Sequence, residues 1–152
     1  MAFDTHNGTR GARQPGRNRF ERWANLRMAQ RLRRKGDRSG DKLVLVTVGK
    51  KTGQERMTPV RWFPAGGDTR VVVASANGAP RNPSWYYNIA AHPDRVRIEY
   101  AGKRIEVTAE QLHGDERDAA WQRITALAPG FSKYERITDR EIPVIRLTPR
   151  RG

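Results

Sequence analysis

The sequence predicts an α+β chain, mainly β, in which mostly antiparallel strands roll into a small barrel with helices on its periphery. Three observations carry this. Val- and Leu-rich runs of strand length recur at 42–49, 57–65, 69–76 and 143–147. The stretch RVRIEYAGKRIEVTAEQL (95–112) alternates in period two about Ala101-Gly102, which reads as a hairpin. The strands follow one another through short local connections, without βαβ alternation or a G-x-G-x-x-G turn, so a dinucleotide-binding Rossmann unit is excluded.

Taken in order, residues 1–18 are rich in Gly and Arg and nearly devoid of apolar side chains, so they are expected to be disordered. RFERWANLRMAQRLRRK (19–35) predicts a helix with Phe20, Trp23, Ala24, Met28 and Leu32 near one face and Gly36 as its stop. Two readings of it stand: a basic amphipathic helix on anionic lipid at the inner membrane face, or a helix docked on the protein's own core with its arginines in solvent. The narrow apolar face favours the second.

GDRSGD (36–41) is a linker, which divides the chain into a basic N-terminal part, 1–41, and a barrel domain, 42–152. KLVLVTVG has the continuous apolar content of a strand buried on both faces. AGGD (65–68) connects the second and third runs as a tight hairpin. Asn82-Pro83 starts a short helix that His92-Pro93 ends. GDERDAAWQRITALAPG (114–130) is a helix with acidic residues in its first turn and Trp121, Ile124 and Leu127 on one face. PVIRL (143–147) is the last strand.

Composition narrows the chemistry. The 152 residues suffice for one buried core despite a mean hydropathy of −0.85. There are no cysteines, and His6, His92 and His113 lack metal-ligand spacing, so no metal site is expected. No apolar run approaches the roughly 20 residues that span a bilayer, and the basic N-terminus lacks an apolar signal region, so the expected location is cytoplasmic. The net charge is +14; residues 1–42 hold 12 Lys and Arg against 4 Asp and Glu, and the remainder 18 against 12. Both parts are basic, which points to an anionic ligand, a lipid surface or a nucleic acid.

GKKTGQERMTP (49–59) looks like a phosphate loop but is not a Walker motif. Its Lys51-Thr52 pair precedes Gly53, and no helix follows. Lys50, Lys51, Arg56 and the Thr52 hydroxyl, with glycine amides beside them, suit phosphate or carboxylate oxygens. Judged alone, a basic β-turn explains the same residues. Ser75 lacks the surroundings of a nucleophile, Asp115, Glu116 and Asp118 suit a helix N-terminus, and Asp139-Arg140-Glu141 reads as a turn held by an internal ion pair. No acid/base pair is supplied, so an enzyme built this way depends on a cofactor.

GKKTGQERMTPVRWF (49–63), VVVASANGAPRNPSWYYNIAAHP (71–93) and TDREIPVIRL (138–147), in this order and spacing, resemble the deazaflavin-dependent nitroreductase family. The resemblance runs from Leu43 to Pro149. It implies a split β-barrel and an oxidoreductase that uses coenzyme F420, an 8-hydroxy-5-deazaflavin with a phosphodiester and an oligoglutamate tail. By similarity, Lys50, Lys51, Thr52 and Arg56 would grip the phosphate and tail, while Thr58, Pro59, Val60 and Arg61 follow the cofactor along the next strand. Val73, Ala74 and Ser75 would line the ring, and Trp85, Tyr86 and Asn88 would close the site. The implied reaction is hydride transfer to a small lipophilic acceptor such as a quinone or nitroaromatic, with Ser75 and Tyr134 as the candidate catalytic hydrogen-bond donors.

The sequence departs from the family in APGFSKY (128–134). Ala128 and Phe131 stand where members that reduce nitroimidazoles place tyrosines, and Arg61 replaces another aromatic. The resemblance leaves a monomer or a homodimer. Two alternatives remain open: a non-catalytic barrel for another flavin, haem or lipid, and a basic nucleic-acid-binding module. Strands without interleaved aromatics and cations argue against specific nucleic-acid recognition.

Overall fold

The computed structural model describes residues 3–15, 19–36 and 40–150. Helix α1 (Arg19–Lys35) precedes strands β1 (Lys42–Val48), β2 (Glu55–Pro64) and β3 (Arg70–Val73). A 3-10 turn (Ala76–Gly78) and α2 (Ser84–Ala91) lead into the hairpin β4 (Val96–Tyr100) and β5 (Lys103–Gln111). Helices α3 (Gly114–Leu127) and α4 (Gly130–Ile137) come before β6 (Val144–Pro149). The strands close a barrel in the order β1-β2-β3-β6-β5-β4, antiparallel at each contact. This is the α+β barrel with peripheral helices that the sequence predicts.

Period two sorts each strand between an inner and an outer face. Leu43, Leu45, Val72, Ile98, Val107 and Leu147 fill the interior, and Trp85, Tyr86 and Ile89 of α2 join them. Outward residues form two satellite cores. Phe63, Val71 and Val144 lie beneath Ala120, Trp121 and Ile124 of α3, while Val44 and Val46 lie beneath Ala29 and Leu32 of α1. Burial on both faces accounts for the unbroken apolar content of β1.

Helix α1 has the predicted span but not the predicted face. Ala29 and Leu32 are its buried side chains, whereas Phe20 and Trp23 are 73% and 55% exposed and Leu26 and Met28 also face outward. The small Ala29 lets the backbone approach β1. The final carbonyls of the helix accept from the tight turn between β4 and β5: Ala101 N–H donates to Leu32 O and Gly102 N–H to Arg33 O. Arg33 also donates to Glu99, whose second carboxylate oxygen accepts from Arg97, so this buried charge is doubly paired.

The expected disorder of residues 1–18 is corrected for 3–15; residues 1–2 and 16–18 lie outside the described residues, as do 37–39 of the linker. Residues 3–15 form a strap along the 78–82 loop and α2. Gly8 N–H donates to Pro80 O (2.7 Å) and Ala12 N–H to Gly78 O (3.0 Å). The Thr5 amide donates to the Tyr86 hydroxyl, and the amides of Thr9 and Arg10 to Asp139. Those bonds, led by the one from the Thr9 hydroxyl, lower the Asp139 carboxyl to about 2. Composition underestimates such a segment because polar pairing with distant residues, more than apolar burial, holds it.

Leu32→Ala should lower stability by about 2–5 kcal/mol in urea unfolding, the range for a buried leucine. Trp23→Ala should stay within about 0.5 kcal/mol, as for an exposed position. Equal losses would overturn this orientation of the helix.

Candidate cofactor and acceptor site

The β1–β2 turn is held closed from below. Gly49 N–H donates to Gln54 O (2.7 Å) and Gly53 N–H to Gly49 O (3.0 Å). Asn88 of α2 accepts from the Lys50 amide (3.0 Å) and donates to Thr47 Oγ1 (3.1 Å). Asn88, expected to touch the cofactor, is therefore a buried support for the turn. Lys50, Lys51, Thr52 and Arg56 stand exposed above it. The absent Cβ of Gly49 would lie 2.6 Å from Thr52 Oγ1 and 3.7 Å from Arg56 Nε, so hydroxyl and guanidinium converge on one point.

The carboxylate nearest in sequence does not neutralise these cations. Glu55 pairs with Arg97, and that hydrogen bond leads the causes that lower its carboxyl below the ordinary value. Among the described residues no carboxylate pairs with Lys50, Lys51 or Arg56. Lys50 lies over the Tyr87 ring, 5.9 Å from its centroid. The turn thus offers three cations and a hydroxyl to an external anion, which fits a phosphate with carboxylates behind it.

On β2 the expected run from Thr58 to Arg61 divides by face. Val60 packs with the interior beside Trp62, and Thr58 shares its side of the strand. Pro59 and Arg61 share the outer side with Phe63, over which the Arg61 guanidinium lies at 5.1 Å. Their neighbour Val73 packs in the outer cluster with Phe131 and Tyr134 of α4. The aromatic rings run in series: Phe63 meets Phe131 edge-on at 5.6 Å, and Phe131 meets Tyr134 at 5.4 Å.

Trp85 and Tyr86 do not close this surface. Both are core residues, Tyr86 1% exposed, with its hydroxyl donating to Gln111 Oε1 at 2.6 Å. Burial raises the Tyr86 phenol above its ordinary value. Ala74 is also fully buried, so of the expected ring-lining residues Val73 and Ser75 present surface. The helical period that places Trp85 and Ile89 on one face of α2 already pointed to the core for Trp85.

The loop after β3 is unusual in its backbone. Ala76, Asn77 and Gly78 have φ of 47°, 57° and 78°, and left-handed conformations cost a non-glycine residue about 1 kcal/mol or more each. Gly78 is required: a Cβ there would meet the Ile137 side chain at 2.7 Å and Tyr134 Cα at 3.2 Å. The loop therefore presses against α4 at Gly78, three residues beyond Ser75. Among the described residues neither the Ser75 nor the Tyr134 hydroxyl has a hydrogen-bond partner, which leaves both available to a ligand.

What holds this loop is Arg140, which is only 4% exposed. It donates to the carbonyls of Ala74 (2.9 Å), Ser75 (2.7 Å) and Ala79 (3.2 Å) and to Asn82 Oδ1 (2.6 Å). The internal ion pair expected within Asp139-Arg140-Glu141 is thus corrected. Asp139 serves the strap, Glu141 lies 3.8 Å from Arg117, and Arg140 points inward to carbonyls. Burial lowers the Arg140 guanidinium to about 10, which still leaves it charged at neutral pH.

Sequence reasoning also missed α4 and the 3-10 turn. Phe131, Tyr134 and Ile137 at intervals of three after Pro129 were the available signal for α4.

The chain matches the F420H(2)-dependent quinone reductase family over residues 19–149. It belongs to that family. The F420H(2)-dependent quinone reductase Rv1261c of Mycobacterium tuberculosis is 40% identical over 111 residues, covering 71% of this chain and 73% of that protein. A solved F420-H2 dependent reductase, FDR-A, superposes with a TM-score of 0.62 at 33% identity, over 70% of this chain and 93% of its own. The haem storage protein HutZ of Vibrio cholerae shares the fold alone, at 14% identity, a TM-score of 0.52 and coverage of 85% and 90%. The quinone reductase family thus has its split barrel here, with the basic turn and the Ser75 loop as its candidate site.

Arg140→Met should cost about 3 kcal/mol, since it strands the Ala74 and Ala79 carbonyls and the Asn82 amide oxygen without a donor. Arg140→Lys should recover part of that loss. A methionine variant as stable as the parent in urea unfolding would contradict the role given to this cation.

Proposed function

We propose that this protein is an F420H2-dependent reductase whose acceptor is a quinone, and that its basic turn and Ser75 loop hold cofactor and acceptor respectively. The observation that carries the reading is the meeting of the Thr52 hydroxyl and the Arg56 guanidinium at Gly49, on a turn that also exposes Lys50 and Lys51, in a chain of the quinone reductase family. Lys50, Lys51 and Arg56 bind the phosphate and carboxylates of coenzyme F420, with the Thr52 hydroxyl donating beside them. Pro59, Arg61 and Val73 flank the ring along the outer face of β2 and β3. The bound reduced deazaflavin supplies the hydride.

Ser75 and Tyr134 donate hydrogen bonds where negative charge develops on an acceptor oxygen. Phe63 and Phe131 exclude water from that position and orient a flat acceptor by ring contact. Tyr134 as the one phenol on α4, beside an apolar Phe131, suits a quinone, whose two oxygens need few donors.

Equilibrium titration with oxidised and reduced coenzyme F420 tests this. Lys51→Ala and Arg56→Ala should each weaken binding about tenfold or more and flatten its salt dependence, with thermal stability unchanged. Ser75→Ala and Tyr134→Phe should lower kcat about tenfold while cofactor affinity holds. No binding of either cofactor form well above micromolar concentration would overturn the reading.

For α1 the proposal is peripheral contact with anionic lipid. Phe20, Trp23, Leu26 and Met28 are exposed on the helix that also carries exposed Arg27 and Arg31. None of the described helices is long and apolar enough to cross a membrane. Sedimentation with phosphatidylglycerol vesicles, but not with phosphatidylcholine vesicles, is expected, and Trp23→Ser should abolish it. Equal sedimentation with both, or with neither, would refute contact of this kind.

A further inference from the structure

One contact of the basic turn has no assigned role. The Lys50 ammonium lies over the Tyr87 ring, 5.9 Å from its centroid, within the range of a cation–π attraction. Among the described residues, Lys51 and Arg56 have no such ring contact. The backbone of Lys50 is fixed from the same helix, since its amide donates to Asn88 Oδ1 at 3.0 Å. Consecutive residues of α2 therefore hold this lysine at its amide and at its ammonium.

Tyr87 is itself held by ring and hydroxyl. Its ring meets Tyr86 edge-on at 5.5 Å and packs against the barrel interior. Its hydroxyl donates to Asn7 Oδ1 in the strap and accepts from Asn82 Nδ2 at 3.4 Å. Asn7 is exposed, yet it is not loose. The same Asn7 oxygen accepts from the backbone N–H of Asn82 at 2.9 Å. On either side of it, Thr5 O accepts from Asn82 Nδ2 at 2.9 Å and Gly8 N–H donates to Pro80 O at 2.7 Å. The strap thus pins the phenol whose ring underlies Lys50.

From this series of contacts we infer that Asn7 and Tyr87 are a positioning pair for Lys50, which they hold ready for the anionic part of the cofactor. The inference rests on the cofactor reading of the turn and adds two residues to it. A lysine on its flexible four-carbon stem loses rotamer freedom when it grips an anion. A ring beneath the ammonium takes part of that loss beforehand, so affinity rises without a new contact to the ligand. Both groups that meet Asn7 Oδ1 are donors, so a carboxylate at this position serves as well. Asn7 precedes residues 19–149, the stretch that matches the family, so the pair joins a turn within that match to a segment outside it.

The test reads Lys50 first without cofactor. Reductive methylation with carbon-13 formaldehyde keeps the charge of each lysine and gives it an NMR signal, and Lys50→Arg and Lys51→Arg identify those two signals. In the wild type the Lys50 signal should lie upfield of the Lys51 signal, through the ring current of Tyr87. Tyr87→Leu should abolish that shift. Tyr87→Phe, which keeps the ring and loses the hydroxyl, and Asn7→Ala should each reduce it, and the two together should reduce it no further. Asn7→Asp should retain it. In titration with oxidised coenzyme F420, Tyr87→Leu should weaken binding about three- to fivefold, as for an exposed cation–π contact, and should add nothing to Lys50→Ala.

A Lys50 signal that matches Lys51 in the wild type, or that Tyr87→Leu leaves in place, overturns the inference. A signal that Asn7→Ala and Tyr87→Phe leave unmoved overturns it as well, as does an equal loss of affinity from Tyr87→Leu with and without Lys50→Ala. If Tyr87→Leu does not fold, Tyr87→Phe and Asn7→Ala, the latter at an exposed position, decide the matter. Absence of coenzyme binding by the wild type, alongside the expected methyl shifts, would fault the cofactor reading and leave Lys50 in its place over the ring.

Discussion

The buried guanidinium of Arg140 is the constraint on which the site depends. A loop that places three successive residues in the left-handed region needs an external force to hold it, since its own backbone bonds are few. Four acceptors from Ala74, Ser75, Ala79 and Asn82 surround one cation, and it is the donor to the buried carbonyls of Ala74 and Ala79 and to the Asn82 amide oxygen. Arginine suits the place because its planar donors reach in several directions while it stays charged despite burial. The position of Ser75, the seat of α4 against Gly78 and the course of the strap all follow from that arrangement.

A second electrostatic pattern separates structural from available charge. Glu55 and Glu99 are both tied to Arg97, and Arg33 completes the set. Arg146 spans Glu110 and Glu116, which fastens β6 to β5 and to α3. Glu55, Glu99, Glu110 and Glu116 thus each meet an arginine on the outside of the barrel. Among the described residues, the cations of the β1–β2 turn have no such partner. Their repulsion is tolerable in solvent and is relieved by an anion, so binding there is expected to weaken with salt.

Much of this was legible in the sequence, for identifiable reasons. The hairpin at Ala101-Gly102, the span of α1 and the succession of strands along the chain follow from periodicity and turn chemistry, which are local. The exposed basic turn was legible because Lys50, Lys51, Thr52 and Arg56 lie within eight residues. The face of α1 was not legible: Phe20 and Trp23 are the larger apolar groups, but the sheet lies under Ala29 and Leu32. Tyr86 and Asn88 were assigned to the ligand because a motif gives proximity without direction, and α2 turns them toward the core and the turn. Arg140 was misread because its partners lie 58 to 66 residues away, beyond any spacing rule.

The strap has a consequence for the order in which the molecule assembles. The Ser75 loop is fixed from both ends of the chain: residues 5–12 lie along it, and residues 138–140 reach it from the other side. The Thr9–Asp139 contact closes 130 residues and the Arg140–Ala74 contact 66. Closures of that length come late, after hairpins such as β4–β5 have paired. On a ribosome the β1–β2 turn can form while the second half of the chain is still being made, but the Ser75 loop waits for residue 140. The two parts of the candidate site therefore take shape at different times.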